Sequence, residues 1–203
     1  GYENLIKLSS IAFTKGMYYV PRIDKKLIEQ YKGDLIILSG NLYGEVSSLL
    51  LNVGEKQAED AIIWWKEMFG EDFYLEVMRH GQEDEDRVNE ALIRLGKKHE
   101  VKLVATNNTY YIDTKDAVSH DVLLCVRDNE LISTPKGRGR GFRYALPNEE
   151  YYYKSADEMR QLFADLPEAI ESISEIIGKI EHYPLAREVL LPAFDIPAEF
   201  QDP

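Results

Sequence analysis

The sequence predicts an α/β fold in which helices cover a parallel sheet. Short, continuous apolar runs at residues 35–38, 73–77 and 101–105 are each followed by a segment with helical periodicity. Continuous rather than alternating apolar runs are typical of parallel strands that are buried on both faces. Three strand-then-helix repeats in one direction place these strands in one sheet, with the helices outside it.

Two helices are predicted ahead of the first strand. Leu5, Leu8 and Ala12 share one face at helical spacing. Asp24 is a typical N-cap residue for a short helix over residues 25–32. The chain is therefore expected to enter the sheet through two helices.

Longer helices are predicted to separate and follow the strands. An apolar stripe indicates a helix over residues 55–69, and Gly70 ends it. Residues 83–86 are four consecutive acids, which favour the positive end of a helix dipole and so indicate where the next helix begins. Thr114 is predicted to cap the helix after the third strand.

The pattern changes after residue 127. Residues 128–148 are rich in Gly and Arg, which predicts a long loop or hairpin. Ser155 is predicted to cap a further helix. The last helix and an extended exit segment are indicated by an apolar stripe and three prolines: Leu166, Ile170, Ile173, Ile177, Ile180, Pro184, Pro192 and Pro197.

Composition excludes several classes of protein. The 203 residues include 36 Asp and Glu against 24 Lys and Arg, a net charge of −12. Because phosphate binding needs clustered Lys and Arg, the whole surface is not suited to duplex DNA. The single cysteine, Cys125, excludes an internal disulfide and a four-thiolate zinc site, and we expect it to be a buried structural thiol.

Location and completeness are also expectations at this point. No apolar run approaches the roughly 20 residues that span a bilayer, so we expect a cytoplasmic chain without membrane contact. The chain begins with Gly1 rather than Met, which predicts a piece cut from a longer protein.

Several long motifs resemble one protein family. They are residues 5–24, ending Tyr-Tyr-Val-Pro-Arg-Ile-Asp; residues 35–45, Leu-Ile-Ile-Leu-Ser-Gly-Asn-Leu-Tyr-Gly-Glu; and residues 103–124, with Val-Ala-Thr-Asn and His-Asp-Val-Leu-Leu. Together with Tyr-Leu-Glu at 74–76 and His-Gly at 80–81, they resemble the alpha subunits of bacterial DNA polymerase III, in the second half of the PHP (polymerase and histidinol phosphatase) domain. Residues 151–163 are similar to the family's link into the polymerase module.

The resemblance implies a fold and a function. The fold is a partial, distorted TIM-like (βα) barrel of the PHP type with a C-terminal helical extension. Residues 1–127 would be the C-terminal portion of the PHP domain, and residues 128–203 a basic loop, helices and a linker toward the polymerase module. The parent would be a replicative DNA-directed DNA polymerase, a nucleotidyltransferase, that uses Mg²⁺ and deoxynucleoside triphosphates. The segment itself would have no cofactor and no catalysis, and its partners would be the rest of the polymerase chain, DNA, replisome subunits and a proofreading exonuclease.

The resemblance also identifies degenerate metal-ligand positions. Active PHP domains bind a cluster of divalent metals, which make hydroxide from water for phosphoester hydrolysis. Metal-binding members have Cys after Leu-Ser-Gly, where this chain has Asn41, and Asp-x-His after Ala-Thr-Asn, where it has Asn108 and Tyr110. A neutral amide does not balance a metal ion as a thiolate does, and a phenol stays protonated at neutral pH. We therefore expect a structural site without bound metal.

Alternatives to a structural site stay open on the sequence. The three residues can instead form a new hydrogen-bonding ligand site, or the chain can be a metal-dependent PHP phosphoesterase or a proofreading 3′–5′ exonuclease. Without the resemblance, a small-molecule α/β enzyme is a further hypothesis, with candidate polar groups Asn41, Glu76, Asn107 and Asn108. No acid–base pair stands out among these groups.

One dense basic cluster lies in the loop at 128–148. Its members are Lys136, Arg138, Arg140 and Arg143. We interpret it as a solvated loop that docks on the acidic body or on the polymerase module, and the alternative is contact with DNA phosphates or a replisome partner.

The four histidines are not predicted to be metal ligands, since no pair has the spacing of a local metal motif. His80 follows the second strand, where barrel enzymes place chemistry, but no ligand role is assigned to it. His99 is expected to be partly buried at a helix end, His120 to hydrogen-bond in packing, and His182 to be solvated.

Overall fold

A computed structural model describes residues 1–137, 139–182, 184 and 186. Its helices and strands, in chain order, are α1 (Tyr2–Thr14), β1 (Met17–Tyr18), β2 (Val20–Pro21), α2 (Lys25–Tyr31), β3 (Ile37–Leu38), α3 (Glu45–Asn52), α4 (Glu55–Phe69), β4 (Phe73–Val77), α5 (Glu83–His99), β5 (Lys102–Ala105), α6 (Ala117–Asp128), α7 (Ala156–Leu162) and α8 (Pro167–Lys179). None of the helices in these ranges is long and apolar enough to cross a membrane.

The strands β3, β4 and β5 form a parallel sheet in that order. Ile37 lies opposite Phe73, and Leu75 lies opposite Leu103. The predicted α/β class with a parallel sheet is therefore confirmed. The strands β1 and β2 form a separate antiparallel pair.

The first predicted strand is shorter and more exposed than its sequence indicated. Only residues 37–38 of the apolar run 35–38 are in β3, and Leu38 is 39% exposed. Leu38 is exposed because β3 is an edge strand of the three-stranded sheet, in which it pairs with β4. Expecting it to be buried on both faces was wrong.

The central strand β4 has the burial that its apolar run predicts. Phe73, Leu75 and Val77 belong to the main core, together with Ile62 of α4 and Leu92 of α5. The predicted bounds of α4 and β4 are confirmed, and Gly70 follows α4 with a positive φ of 56°. A residue with a side chain would be strained at this φ, which explains why glycine occupies the position.

The helix α3 was not predicted. Its first residue follows Gly44, which offers no side chain to cap the helix, so the sequence lacks a start signal. The available signal was the spacing of Val46, Leu49 and Leu50, of which Val46 is buried and the two leucines pack against the core.

The helix caps are mostly the predicted ones. Asp24 caps α2 by accepting the backbone N–H of Leu27 at 2.9 Å. Ser155 caps α7, and Glu158 completes a capping box. Thr114 is not a cap: Asp113 forms a capping box on a short 3₁₀ turn that precedes α6.

The last helix is rotated relative to its predicted apolar stripe. Leu166 is buried as expected, but Ile177 and Ile180 are exposed. The face toward the sheet instead presents Glu175, whose carboxylate accepts the hydroxyl of buried Tyr74 at 2.7 Å. This polar contact orients α8 against β4 and β5.

The segment after α6 is irregular, as predicted. The described residues between 129 and 155 form isolated bridges and no helix or strand, and one bridge joins Lys136 and Arg143 across the loop. Cys125 on α6 is buried, which confirms its predicted environment. Pro192 and Pro197 lie outside the described residues.

Candidate functional site

Three segments that follow the parallel strands converge on one cleft. The cleft has a volume of about 610 Å³, and Asn41, Asn108 and Tyr110 all line it. Asn41 follows β3, and the other two follow β5. Because the carboxyl ends of parallel strands meet at one edge of a sheet, the fold brings the three sequence-predicted positions together.

Each of the three residues is engaged in local structure. The Asn41 side-chain oxygen accepts the backbone N–H of Tyr43 at 2.9 Å and forms a tight turn. The backbone N–H of Asn108 donates to Nε2 of His80 at 3.3 Å. Tyr110 is half exposed, and its backbone N–H donates to the carbonyl of Tyr151 at 2.9 Å.

His80 lies at the centre of this edge and is 1% exposed. Its Nδ1 is 2.7 Å from Oε1 of Glu85, and its backbone N–H donates to Oε2 of the same carboxylate at 2.6 Å. Since Nε2 accepts from Asn108, we assign the ring proton to Nδ1, where it donates to Glu85. Both ring nitrogens are thus used within the protein.

The electrostatics of Glu85 follow from this pairing. Burial acts to raise the pKa of its carboxyl, but hydrogen bonds from the side chain and backbone of His80 outweigh burial and lower the pKa. Tyr151 closes the other side of the imidazole, with the two rings stacked 4.4 Å apart. The His80–Glu85 pair is therefore a buried link between the end of β4 and the start of α5.

A second polar network ties the three strand ends together. The Thr106 hydroxyl donates to Oε1 of Glu76 at 2.6 Å, and the backbone N–H of Glu76 donates to the Ser39 hydroxyl at 2.9 Å. Asn107 donates to Thr109 and to the carbonyl of Tyr152. The groups that a small-molecule enzyme would use here thus also have structural partners.

The donor set at this edge does not fit the metal cluster of active PHP domains. Within the described residues, no three or more His, Cys, Asp or Glu side chains lie close enough together to hold a metal ion. The lone pair of His80 Nε2 and the side-chain oxygen of Asn41 already accept hydrogen bonds. Among the described residues, this edge therefore does not present the ligand set that the resemblance implies for an active PHP domain.

The basic cluster is divided by the fold. The Arg143 side chain is 3% exposed, and its guanidinium donates two bonds, of 2.6 and 2.8 Å, to Asp121 on α6. Lys136 lies 3.3 Å from the same carboxylate. Arg140 is exposed, and Arg138 lies outside the described residues.

These contacts strongly perturb one carboxyl. Hydrogen bonds from Arg143 lower the pKa of Asp121 to about 2, and Lys136 contributes to the shift. DNA binding by the basic cluster stays a prediction. In the arrangement seen here, Arg143 is turned toward α6 and has no face open to a phosphate.

Sequence reasoning missed two partners at this site. Glu85 was seen only as one of four acids at a helix start, and Asp121 only as part of a His-Asp motif. The sequence contained one signal for Glu85, the five-residue spacing from His80, which allows contact only where a tight turn precedes the helix. The Asp121–Arg143 pair spans 22 residues and a loop, and no local pattern indicates it.

Comparison with known proteins agrees with the motif resemblance. Residues 1–80 match the PHP domain family. The chain is 39% identical over 201 residues to the DNA polymerase III subunit alpha of Borreliella burgdorferi, a match that covers 98% of this chain and 17% of the relative. The corresponding protein of Campylobacter jejuni is 40% identical over 88% of this chain and 15% of its own length, and that of Treponema pallidum is 37% identical over 98% and 17%. The chain thus spans about a sixth of the curated relatives that it matches.

Proposed function

We propose that this chain is a structural part of a bacterial DNA polymerase III alpha subunit and has no catalysis of its own. The proposal starts from the similarity of the chain to a PHP-containing segment of such subunits. One observation carries this proposal. Asn41, Asn108 and Tyr110 line one cleft, and His80 beside them bonds Glu85 through one ring nitrogen and Asn108 through the other. At the edge of the sheet where PHP chemistry would take place, the ring nitrogens of His80 are therefore used in hydrogen bonds within the protein.

The activity assigned to the parent is DNA-directed DNA synthesis from deoxynucleoside triphosphates with Mg²⁺. The DNA polymerase part of this assignment is supported by the similarity of the chain to DNA polymerase III alpha subunits. In such a parent the present residues need no cofactor. Their partners are the rest of the polymerase chain and, through it, DNA, replisome subunits and a proofreading exonuclease in the cytoplasm.

The finer fold is proposed to be part of a distorted TIM-like barrel. Support comes from three parallel strands whose connections are helices, with polar residues gathered at the carboxyl edge.

The division at residue 127 is likewise proposed as a boundary between the PHP portion and the link to the polymerase. Phe163 and Ala169, beyond that boundary, pack into the main core, so the link begins as part of the same body.

The basic loop is proposed to dock on the acidic body of the chain. Its support is the Asp121 carboxylate, which receives two bonds from Arg143 and one contact from Lys136. Contact with DNA phosphates, if present, would depend on Lys136, Arg138 and Arg140. A salt titration of DNA binding distinguishes the two, since phosphate contacts weaken steeply with salt.

Enzymatic assays test the non-catalytic role. The chain is incubated with a primed template and nucleotides, with a 3′-labelled strand, and with p-nitrophenyl phosphate, each with Mg²⁺, Mn²⁺ or Zn²⁺. We expect the rates of a protein-free blank. Extension, degradation or phosphate release that His80→Ala or Glu76→Ala abolishes, while Glu83→Gln leaves it unchanged, would overturn the proposal.

A further inference from the structure

A short hairpin between α1 and α2 presents two tyrosines to solvent. Its strands β1 and β2 pair Tyr18 with Val20, which leaves Tyr19 alone at the tip. The backbone N–H of Arg22 donates to the carbonyl of Gly16 at 3.1 Å and closes the other end. Tyr18 is 63% exposed and Tyr19 is 90% exposed. Residues 16–22, the Tyr19 hairpin, therefore carry aromatic side chains that the fold itself does not bury.

The tip residue has a backbone conformation that tyrosine rarely adopts. Tyr19 has a φ of 62°, in the left-handed region where glycine is unstrained and a residue with a Cβ atom is strained. Because its side chain is almost fully exposed, packing within the protein does little to offset this strain. Strained residues of this kind cluster at sites that bind ligands. The strain at Tyr19 is therefore a reason to look for a ligand of its ring.

The exposed rings form a surface suited to stacking. The centroids of the Tyr18 and Tyr19 rings are 4.8 Å apart, and the rings meet edge to face. The guanidinium of Arg22 lies 4.7 Å from the centroid of the Tyr18 ring, as in a cation–π contact. Two aromatic rings beside a guanidinium offer flat faces to a base and a cation to its phosphate.

The charge around the Tyr19 hairpin is positive. Residues 1–32 contain six Lys and Arg against three Asp and Glu, a net charge of +3 in a chain of −12. Three exposed cations near the hairpin form no ion pair within the described part of the chain: Lys15, Arg22 and Lys26. Lys25 is balanced by Glu45 at 2.9 Å, so Asp24 is the one acid between the three cations. An excess of positive charge thus remains for a polyanion.

We propose that the Tyr19 hairpin binds single-stranded DNA, with a base stacked on the ring of Tyr19 and neighbouring phosphates beside Arg22 and Lys26. A ring at a hairpin tip reaches the face of a base only where the bases are not already stacked in a duplex. An acidic peptide would use the cations but would leave the flat rings without a matching group. The site is separate from the degenerate ligand positions and from the basic loop.

Fluorescence anisotropy of a labelled oligothymidylate, titrated with the full chain at low salt, tests the site. An abasic oligonucleotide with the same number of phosphates measures the contribution of charge alone. We expect saturable binding of the oligothymidylate that is about tenfold tighter than binding of the abasic strand. Tyr19→Ala should remove this difference and Tyr19→Trp should keep it, whereas Tyr153→Ala, at an exposed tyrosine elsewhere, should change nothing.

Substitution of the cations separates the hairpin from the basic loop. Arg22→Gln and Lys26→Gln should each weaken binding of both oligonucleotides severalfold and reduce its dependence on salt, since each removes a phosphate contact. Lys136→Gln and Arg140→Gln, in the basic loop, should leave both affinities unchanged. If the loop variants weaken binding and the hairpin variants do not, the proposal is overturned.

A glycine at the tip distinguishes binding from folding. Tyr19→Gly relieves the strain at a φ of 62°, so the melting temperature should stay unchanged or rise while the preference for bases is lost. A lower melting temperature for Tyr19→Gly would show that the phenol serves the fold. That result, equal affinity for the two oligonucleotides, or the absence of saturable binding would each overturn the proposal.

Discussion

Nδ1 of His80 lies 2.7 Å from Oε1 of Glu85, and Nε2 of the same ring accepts the backbone N–H of Asn108. This arrangement joins three elements, since His80 follows β4, Glu85 lies in the first turn of α5 and Asn108 follows β5. A histidine at the carboxyl edge of a parallel sheet is well placed for catalysis. Here both of its nitrogens hold the fold together.

Replacing Glu85 with Gln should destabilise the chain. The amide keeps the size of the carboxylate but cannot accept from both the ring and the backbone of His80 with the same strength. We expect the free energy of unfolding to fall by roughly 1–3 kcal/mol. Urea denaturation measures the change, and Glu83→Gln, exposed in the same helical turn, is the matched control. Equal effects of the two substitutions would show that the pair is not a structural link.

Stability should decrease in acid, partly through Asp121. Its pKa is lowered from 3.8 to about 2, so the folded state holds fewer protons there than the unfolded state. The stabilisation is therefore complete above pH 3.8 and is lost as the pH falls toward 2. Glu85, whose pKa is also lowered, acts in the same direction.

Melting temperatures between pH 6 and pH 2 check this dependence. The Asp121→Asn variant should melt lower than the unchanged chain at pH 6, and the difference should shrink toward pH 2. Asp157→Asn, which changes an exposed carboxylate paired with Arg160, is the control and should follow the unchanged chain. A constant difference for Asp121→Asn across the range would contradict the pairing.

The hydroxyl of Tyr74 should contribute to holding α8 on the sheet. Tyr74 is buried, and its hydroxyl donates to Glu175 at 2.7 Å. Tyr74→Phe removes that bond while Lys102 continues to pair with Glu175. We expect a loss of about 1 kcal/mol, measured by urea denaturation, against no change for the exposed Tyr153→Phe. If Tyr74→Phe left the free energy of unfolding unchanged, apolar packing alone would hold α8 on the sheet.

Introducing the ligand types of metal-binding PHP domains should create metal affinity. The triple variant Asn41→Cys, Asn108→Asp and Tyr110→His places a thiolate, a carboxylate and an imidazole around one cleft. We expect it to bind Zn²⁺ at least about tenfold more tightly than the unchanged chain. Competition with a zinc-responsive dye measures the affinity, and each single variant serves as a control. No gain over the single variants would show that the three positions do not converge.

Local patterns predicted the central elements of the fold. The apolar stripe and Gly70 located α4, because one face of this helix is buried, and the continuous apolar run located β4, because four of its five residues are buried. The same reasoning was wrong for β3, since a run of apolar residues does not reveal which strand lies at a sheet edge. It was also incomplete for α8, because the contact of Glu175 with Tyr74 spans 101 residues.

The candidate site was predictable in its positions but not in its bonding. The motifs around Asn41 and Asn108 locate the carboxyl edge of the sheet, and the fold brings both residues to one cleft. The partners of His80 and Arg143 depend on how a helix start and a long loop fold back. Those contacts come from tertiary packing: the five-residue spacing of His80 and Glu85 only allows their contact, and no local pattern indicates the pairing of Arg143 with Asp121.

Metal content tests the central claim most directly. The chain is dialysed against buffer containing Zn²⁺, Mn²⁺ and Mg²⁺, then against metal-free buffer, and its metals are measured by elemental analysis beside the triple variant of Asn41, Asn108 and Tyr110. The account predicts no metal in fixed proportion to the unchanged chain, and retained zinc in the triple variant. One or more metal ions per unchanged chain, lost on Asn41→Ala or His80→Ala, would contradict it.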